Sequence, residues 1–246
     1  MRNFAGKRYW LVGASEGLGL ALAQILNRAG AEVILSARSA EGLDRALETL
    51  PGRAYAMVVD VASSASVRAA AAAIGDIDGV VFLAGVYWPT SAQNWNPDQV
   101  EAMCDVNFTG CARVVGAVLP AMLAKRQGHI VITGSLSGFR GLPGAIGYAA
   151  SKAGTMVLAE SLYADLRRTN IDVQLANPGF IRTRLTEKND FAMPFLMEPD
   201  EAARAMFEHM TGDRFKVSFP TVFSWLFRGG NFLPDWLYYR MFPPKA

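Results

Sequence analysis

Cysteine and histidine are nearly absent: the chain of 246 residues has two of each. Cys104 and Cys111 lie seven apart, which excludes a disulfide-built scaffold and fits a reducing compartment. His129 and His209 stand apart from any Cys/His/Glu cluster at ligand spacing, so no metal site is expected and both are read as structural or surface residues. An excess of one charge sign is lacking too. The 24 lysines and arginines against 22 acids leave +2, and there is no basic footprint for nucleic acid. No uninterrupted apolar run approaches the ~18 residues of a membrane span, and residues 1–8 hold no apolar signal core. Nor does a Pro/Ser-rich linker divide the chain. What is abundant is apolar: 51% of residues against 19% charged, enough for a sizeable core. The expectation is one compact, soluble, cytoplasmic domain over residues 1–246.

Short apolar runs alternate with longer amphipathic segments. Tyr9-Trp10-Leu11-Val12, Glu32-Val33-Ile34-Leu35-Ser36, Ala56-Met57-Val58-Val59, Val80-Val81-Phe82-Leu83, Ile130-Val131-Ile132 and residues 171–175 read as strands, with a seventh at 215–219. Helices are expected at 17–29, 40–50, 63–74, from Asn96-Pro97-Asp98 through Phe108 and beyond, at 148–168 and from Pro199. Strands apolar on both faces and separated by helices imply a parallel sheet covered on both sides, a Rossmann-like doubly wound α/β fold of about seven strands.

The first strand runs into Gly13-Ala14-Ser15-Glu16-Gly17-Leu18-Gly19 and then a helix. Such a turn lets a pyrophosphate approach the backbone at a helix N-terminus, although glycine-rich turns of this kind are often merely tight turns. The spacing is G-x-x-x-G-x-G, and a P-loop is excluded because Gly-Lys-Ser/Thr is missing. At the end of the second strand, Leu35-Ser36-Ala37-Arg38-Ser39 has no acid for a ribose 2′-hydroxyl; Arg38, flanked by two hydroxyls, favours a 2′-phosphate. Glu16 would repel a phosphate that it faced.

Tyr148-Ala149-Ala150-Ser151-Lys152 sets a phenol and an ammonium four apart on one helical face. A phenol has an ordinary pKa of about 10, which a neighbouring cation lowers. Ser135 follows the fifth strand, at the sheet end where ligands bind. Asn107 sits inside a helix, where asparagine is a poor former and needs a reason. Asn177-Pro178-Gly179 ends the sixth strand and leads to Thr183.

Taken together, Gly13-x-x-x-Gly17-x-Gly19, Asp60, Asn107, Ser135, Tyr148-x-x-x-Lys152 and Pro178-Gly179 resemble the short-chain dehydrogenase/reductase family in order and spacing, over nearly the whole chain. The resemblance implies that Tyr148 is the general acid/base, Ser135 orients the carbonyl or hydroxyl, Lys152 binds the nicotinamide ribose and depresses the tyrosine pKa, and Asn107 holds a proton-relay water. It further implies a dinucleotide held by Gly13, Ser15, Glu16, Gly17, Leu18 and Gly19, by Asp60 and Val61 at the adenine, and by Ala84 and Gly85. Tyr148, Lys152, Pro178, Gly179, Ile181 and Thr183 complete that set, the last two at the carboxamide. Arg38 resembles the subgroup preferring NADP(H) over NAD(H). Val12 and Phe82-Leu83-Ala84-Gly85 depart from the family's usual threonine and Asn-Asn-Ala-Gly, losing polar groups near the cofactor.

The implied activity is NADP(H)-dependent interconversion of a carbonyl and a secondary alcohol. The alternatives are a cofactor-binding regulator or scaffold with little turnover, or an epimerase/dehydratase on the same fold. The family's lid falls at residues 180–199, where Leu185, Phe191, Met193, Phe195, Leu196 and Met197, with Phe139, Leu142, Tyr87 and Trp88, suggest a small apolar substrate. Small residues on the helices near 97–125 and 148–168 fit a homodimer or homotetramer. Finally, nine aromatics crowd residues 219–242, and Gly229-Gly230 and Pro234 break the tail over 220–246 into two pieces. Three burials fit them: a neighbouring subunit, the substrate pocket, or a membrane interface beside Arg228, Arg240 and Lys245. The first two are preferred, and the intact chain is expected to ignore liposomes.

Overall fold

A computed structural model describes residues 1–189 and 192–243. Phe191 of the expected lid and Lys245 of the tail lie outside them. The chain alternates strand and helix: β1 (Arg8–Val12), α1 (Gly17–Arg28), β2 (Glu32–Ala37), α2 (Ala40–Leu47), β3 (Ala54–Val58), α3 (Ser64–Ile74), β4 (Gly79–Phe82) and α4 (Pro97–Met103). A π-helical stretch, Cys104–Thr109, joins α4 to α5 (Gly110–Ala124). Then come β5 (Gly128–Thr133), α6 (Ile146–Leu166), β6 (Ile171–Pro178), α7 (Pro199–Thr211), β7 (Lys216–Phe219), α8 (Thr221–Gly230) and α9 (Asp235–Met241). All seven strands are parallel, in the order β3-β2-β1-β4-β5-β6-β7.

The order reverses between β1 and β4, and in open α/β sheets the carboxyl edge at such a switch point is the ligand crevice. Two apolar layers cover the sheet. One packs Trp10, Ile34, Val80, Phe82, Ile130 and Ile132 against α3, α5 and α6; the other packs Leu11, Leu35, Val81 and Val131 against α1, α2 and α7. Local chemistry sets the helix starts: Ser39, Ser63 and Asn96 each accept a hydrogen bond from the main chain three residues on, and Pro97 occupies the first turn of α4.

Three expectations shift. The third strand starts two residues early, and as the edge strand it leaves Tyr55 and Val58 exposed instead of covered. The helix expected at 40–50 closes at Leu47. In the long helix, expected to run regularly through Phe108, a π turn intervenes at Cys104–Thr109 and leaves Phe108 exposed against Gly154. The span Pro97–Ala124 is apolar and long enough to cross a membrane, yet its buried residues Met103, Cys111, Val114 and Val118 belong to the core.

Candidate active site

The glycine turn lies at the crevice. Gly13 has φ +96°, and a Cβ there would collide with the main-chain nitrogen of Ala84. Only glycine lets the loops after β1 and β4 close on each other. Gly17, φ +54°, opens α1 and faces the Thr183 methyl group, so the turn also touches the start of the lid. Ser15 packs near Gly42 of α2, Leu18 is half-buried, and Gly19 sits against the Gly13 carbonyl. Glu16 turns outward and pairs with Arg184, whose Nε is 2.9 Å from Glu16 Oε1, so its charge is balanced. The two apolar departures are absorbed by packing: Val12 is fully buried, and Leu83 donates its N–H to the Val12 carbonyl at 2.8 Å.

Arg38, the residue after β2, is exposed, with no ion pair among the described residues. Its flanking hydroxyls are committed elsewhere: Ser36 accepts from Trp10 Nε1 at 2.8 Å, and Ser39 caps α2. Asp60 holds its own turn by accepting from the Ala62 N–H. The Val61 side chain is buried against Gly110 and its carbonyl accepts from Arg113.

Asn107, Ser135, Tyr148 and Lys152 converge where β5 ends beside α6 and the π turn. Asn107 is completely buried. Its Oδ1 accepts from the Val86 N–H at 2.8 Å, and its Nδ2 donates to the Val86 carbonyl and Ser151 Oγ, both at 3.0 Å. The side chain thus clamps the loop carrying Ala84 and Gly85, leaving any relay role to its remaining lone pairs. The π turn explains the misfit residue: it breaks the α ladder, and Thr155 Oγ1 donates to the Asn107 carbonyl at 3.0 Å. Ser151 and Thr155 carried no expectation; both lie on the buried face of α6 that also bears Lys152.

Lys152 Nζ donates to the Thr133 carbonyl at 2.9 Å and stands 5.9 Å from the centre of the Tyr148 ring. Burial lowers its pKa from 10.5 to about 8, with Cys111 pulling the other way. Burial raises the Tyr148 hydroxyl from 10.0 to about 12, a hydrogen bond with Ser135 pulls it down, and Tyr87 pushes it further up. The expected depression of the tyrosine by Lys152 is not met. The ammonium is spent on a carbonyl while desolvation favours the neutral phenol.

Tyr87 meets Tyr148 edge-on, with ring centres 5.1 Å apart. Its hydroxyl donates to Asn189 Oδ1 at 2.9 Å, and Lys188 Nζ donates to the Tyr87 carbonyl at 2.8 Å while lying over Trp88. Residues 188–189 of the lid are therefore seated on the wall beside the phenol. Behind it, Pro178 is buried, Gly179 lies against Leu136, and Ile181 pairs with Met197. Thr183 accepts at its carbonyl from Thr186, which braces the lid. Leu136, Phe139, Leu142 and Phe180 form one apolar wall with Phe223 and Phe227 of α8, so the tail packs its inner face on the segments that follow β5 and β6.

The short chain dehydrogenase family model matches residues 7–193. An uncharacterised oxidoreductase of Myxococcus xanthus (strain DK1622) is 38% identical over 239 residues, covering 93% of each chain. The 3-oxoacyl-(acyl-carrier-protein) reductase of Vibrio cholerae serotype O1 is 32% identical over 189 residues, 75% of this chain and 78% of that one. Among solved structures, a variant of the actinorhodin polyketide ketoreductase with NADPH aligns at TM-score 0.80 and 25% identity, over 87% of this chain and 95% of its own. A short chain dehydrogenase/reductase of Burkholderia phymatum in complex with NAD has the same fold, TM-score 0.85 at 24% identity, covering 93% and 94%. A match through most of the sequence, shared with relatives along most of their length, leaves one assignment: this chain belongs to the short-chain dehydrogenase family and is an oxidoreductase.

Proposed function

We propose that the protein is an NADP(H)-dependent oxidoreductase that interconverts a carbonyl and a secondary alcohol on a small, apolar substrate. The observation that carries this reading is the convergence of Ser135, Tyr148, Lys152 and Asn107 beside the glycine turn. It favours turnover over a cofactor-binding scaffold, because a scaffold has no use for a half-buried phenol hydrogen-bonded to a serine. Ketoreductases and a 3-oxoacyl reductase among the similar proteins support the same reaction class.

The residues at hand suit a nicotinamide dinucleotide. A tight turn opens α1 for a pyrophosphate, Gly85 brings its main chain alongside Asn107 and Lys152, and Thr133 Oγ1 and the Asn177 amide are buried without a partner among the described residues. Bound there, the nicotinamide supplies or accepts the hydride. Tyr148, held protonated by burial, donates its proton to the substrate oxygen in the reducing direction and takes it back in the oxidising one. Ser135 donates a hydrogen bond to that oxygen, and Lys152 supplies a positive charge behind the phenol. Gly13, Ser15, Gly17, Leu18 and Gly19 serve the pyrophosphate; Asp60, Val61, Ile181 and Thr183 serve the two ends. Arg38, with no ion-pair partner among the described residues, is available for a 2′-phosphate.

Two free cysteines suit the reducing cytoplasm. Exposed Phe108 and Val157, with Phe108 packed on Gly154 of α6, suit a homodimer or homotetramer through α5 and α6; sedimentation showing only monomer at micromolar concentration rejects that part. The chemistry is tested by Tyr148→Phe in a cofactor-absorbance assay over a carbonyl and alcohol panel. Turnover is expected to fall roughly a thousandfold with cofactor binding retained; near wild-type turnover overturns the mechanism. Cofactor choice is tested by titrating both coenzymes. Arg38→Asp is expected to weaken NADP(H) far more than NAD(H), and equal affinities in the unaltered protein reject the preference.

A further inference from the structure

The tail does two different things on its two faces. Inward, Phe223, Phe227 and Tyr238 are buried, and Arg140 ties the module down. The Arg140 guanidinium lies over the Tyr238 ring at 4.1 Å, donates to the Gly230 and Leu233 carbonyls, and pairs with Asp235. Outward, the same segment exposes Phe232 at 90%, Trp236 at 69% and Trp225 at 62%, together with Val222, Leu226 and Tyr239. On α8 the exposed Val222, Trp225 and Leu226 follow helical spacing at i, i+3 and i+4, opposite the buried Phe223 and Phe227. That helix is therefore apolar on both sides, which a helix lying on a protein surface in water is not. The burial expected of the aromatics is thus only half achieved within the chain.

The charges beside this outer face have one sign. Each exposed tryptophan has an arginine one turn further along its helix, Arg228 after Trp225 and Arg240 after Trp236. Both arginines are exposed, and neither forms an ion pair among the described residues. The only acid between residues 220 and 243 is Asp235, already balanced by Arg140. Tryptophan and tyrosine combine an apolar ring with a polar edge, and arginine carries an apolar stem to a charged head, so both suit the boundary between acyl chains and headgroups. Neither helix approaches the length of a span, so the geometry is that of lying in the surface.

We propose that α8 and α9 form an interfacial docking surface for an anionic lipid membrane, Trp225, Phe232 and Trp236 entering the headgroup layer while Arg228 and Arg240 meet lipid phosphates. The proposal concerns binding and stands independently of the reaction assigned above. The occupant differs from a second copy of this chain in what it requires: two unpaired cations next to aromatics complement an anionic surface, whereas apposing the same face twice brings like charges together.

The test is flotation of the full chain with vesicles of phosphatidylcholine alone and of phosphatidylcholine with phosphatidylglycerol, without substrate. Against the expectation from sequence that the intact chain ignores liposomes, the protein is expected to float with the anionic vesicles, far less with the neutral ones, and to be released by added salt. Arg228→Gln with Arg240→Gln is expected to weaken partitioning onto anionic vesicles about thirtyfold, at roughly 1 kcal/mol per arginine. Trp225→Ser with Trp236→Ser is expected to abolish flotation while leaving the circular dichroism spectrum unchanged. A protein that floats with neither vesicle, or an arginine pair whose loss changes nothing, overturns the proposal. So does a tryptophan pair whose loss turns an oligomer into a monomer, which identifies a second copy as the occupant.

Discussion

The two ends of the same central strands treat buried polar groups in opposite ways. At the amino end of β5 and β6, His129 and Gln174 are fully used. The Tyr9 hydroxyl lies 2.8 Å from His129 Nδ1, Gln174 Oε1 accepts from Nε2 at 2.7 Å, and Gln174 Nε2 donates to the carbonyls of His209, Gly212 and Arg214. At the carboxyl end, Thr133 Oγ1 and both polar atoms of the Asn177 side chain are buried with no partner among the described residues; His209 Nε2 is the one such atom at the other end. Satisfied networks stabilise and orphaned groups cost. The same two strands are thus finished as structure at one end and left chemically unfinished at the other, where Ser135, Tyr148 and Lys152 stand.

If the two ends are divided in this way, single substitutions separate activity from stability. Ser135→Ala is expected to lower kcat by about a hundredfold or more with the melting temperature unchanged. His129→Ala is expected to cost about 3 kcal/mol of stability, by creating a cavity and stranding Tyr9 and Gln174, with kcat preserved in the folded fraction. Calorimetry and steady-state kinetics on both variants check this, and a catalytic defect in the histidine variant refutes the division.

Acid is expected to destabilise the same end of the molecule. Burial first, with the Arg2 charge, lowers His129 from 6.5 to about 3, and burial lowers His209 to about 4. Both stay neutral when folded, so the unfolded chain binds more protons once the pH drops below 6.5. Their stabilising contribution is complete above that value and is lost progressively down toward pH 3. Thermal melts between pH 7 and 4 are expected to fall, with a shallower slope in His129→Gln. The smallest effect belongs to the carboxyl end. Thr133→Val removes an orphaned hydroxyl at constant shape, and denaturant melts are expected to show stability unchanged or raised by up to about 1 kcal/mol.

Much of this was legible beforehand because it is local. Strand runs, serine and asparagine caps and the glycine turn depend on neighbours within a few residues, and their positions hold to within two or three residues. The edge character of β3 was hidden, because a strand's place in the sheet is set by partners far along the chain. Asn107 was noticed as a poor helix former, but the reason, a π turn clamped by Val86, Ser151 and Thr155, spans three elements. Arg184 gave no signal at all: it neutralises Glu16 across 168 positions.

Hydrophobic period was enough for the doubly wound fold and motif resemblance for the family, and residue order was enough to bring Ser135, Tyr148 and Lys152 to the carboxyl edge of a parallel sheet. The protonation and the freedom of those groups came from packing instead. Tyr148 rises and Lys152 falls because burial withdraws water from both charges. Whether an aromatic in the tail is core or surface likewise depends on which side of α8 and α9 meets the wall around Leu136 and Phe180, and that contact is not written in the spacing of the residues.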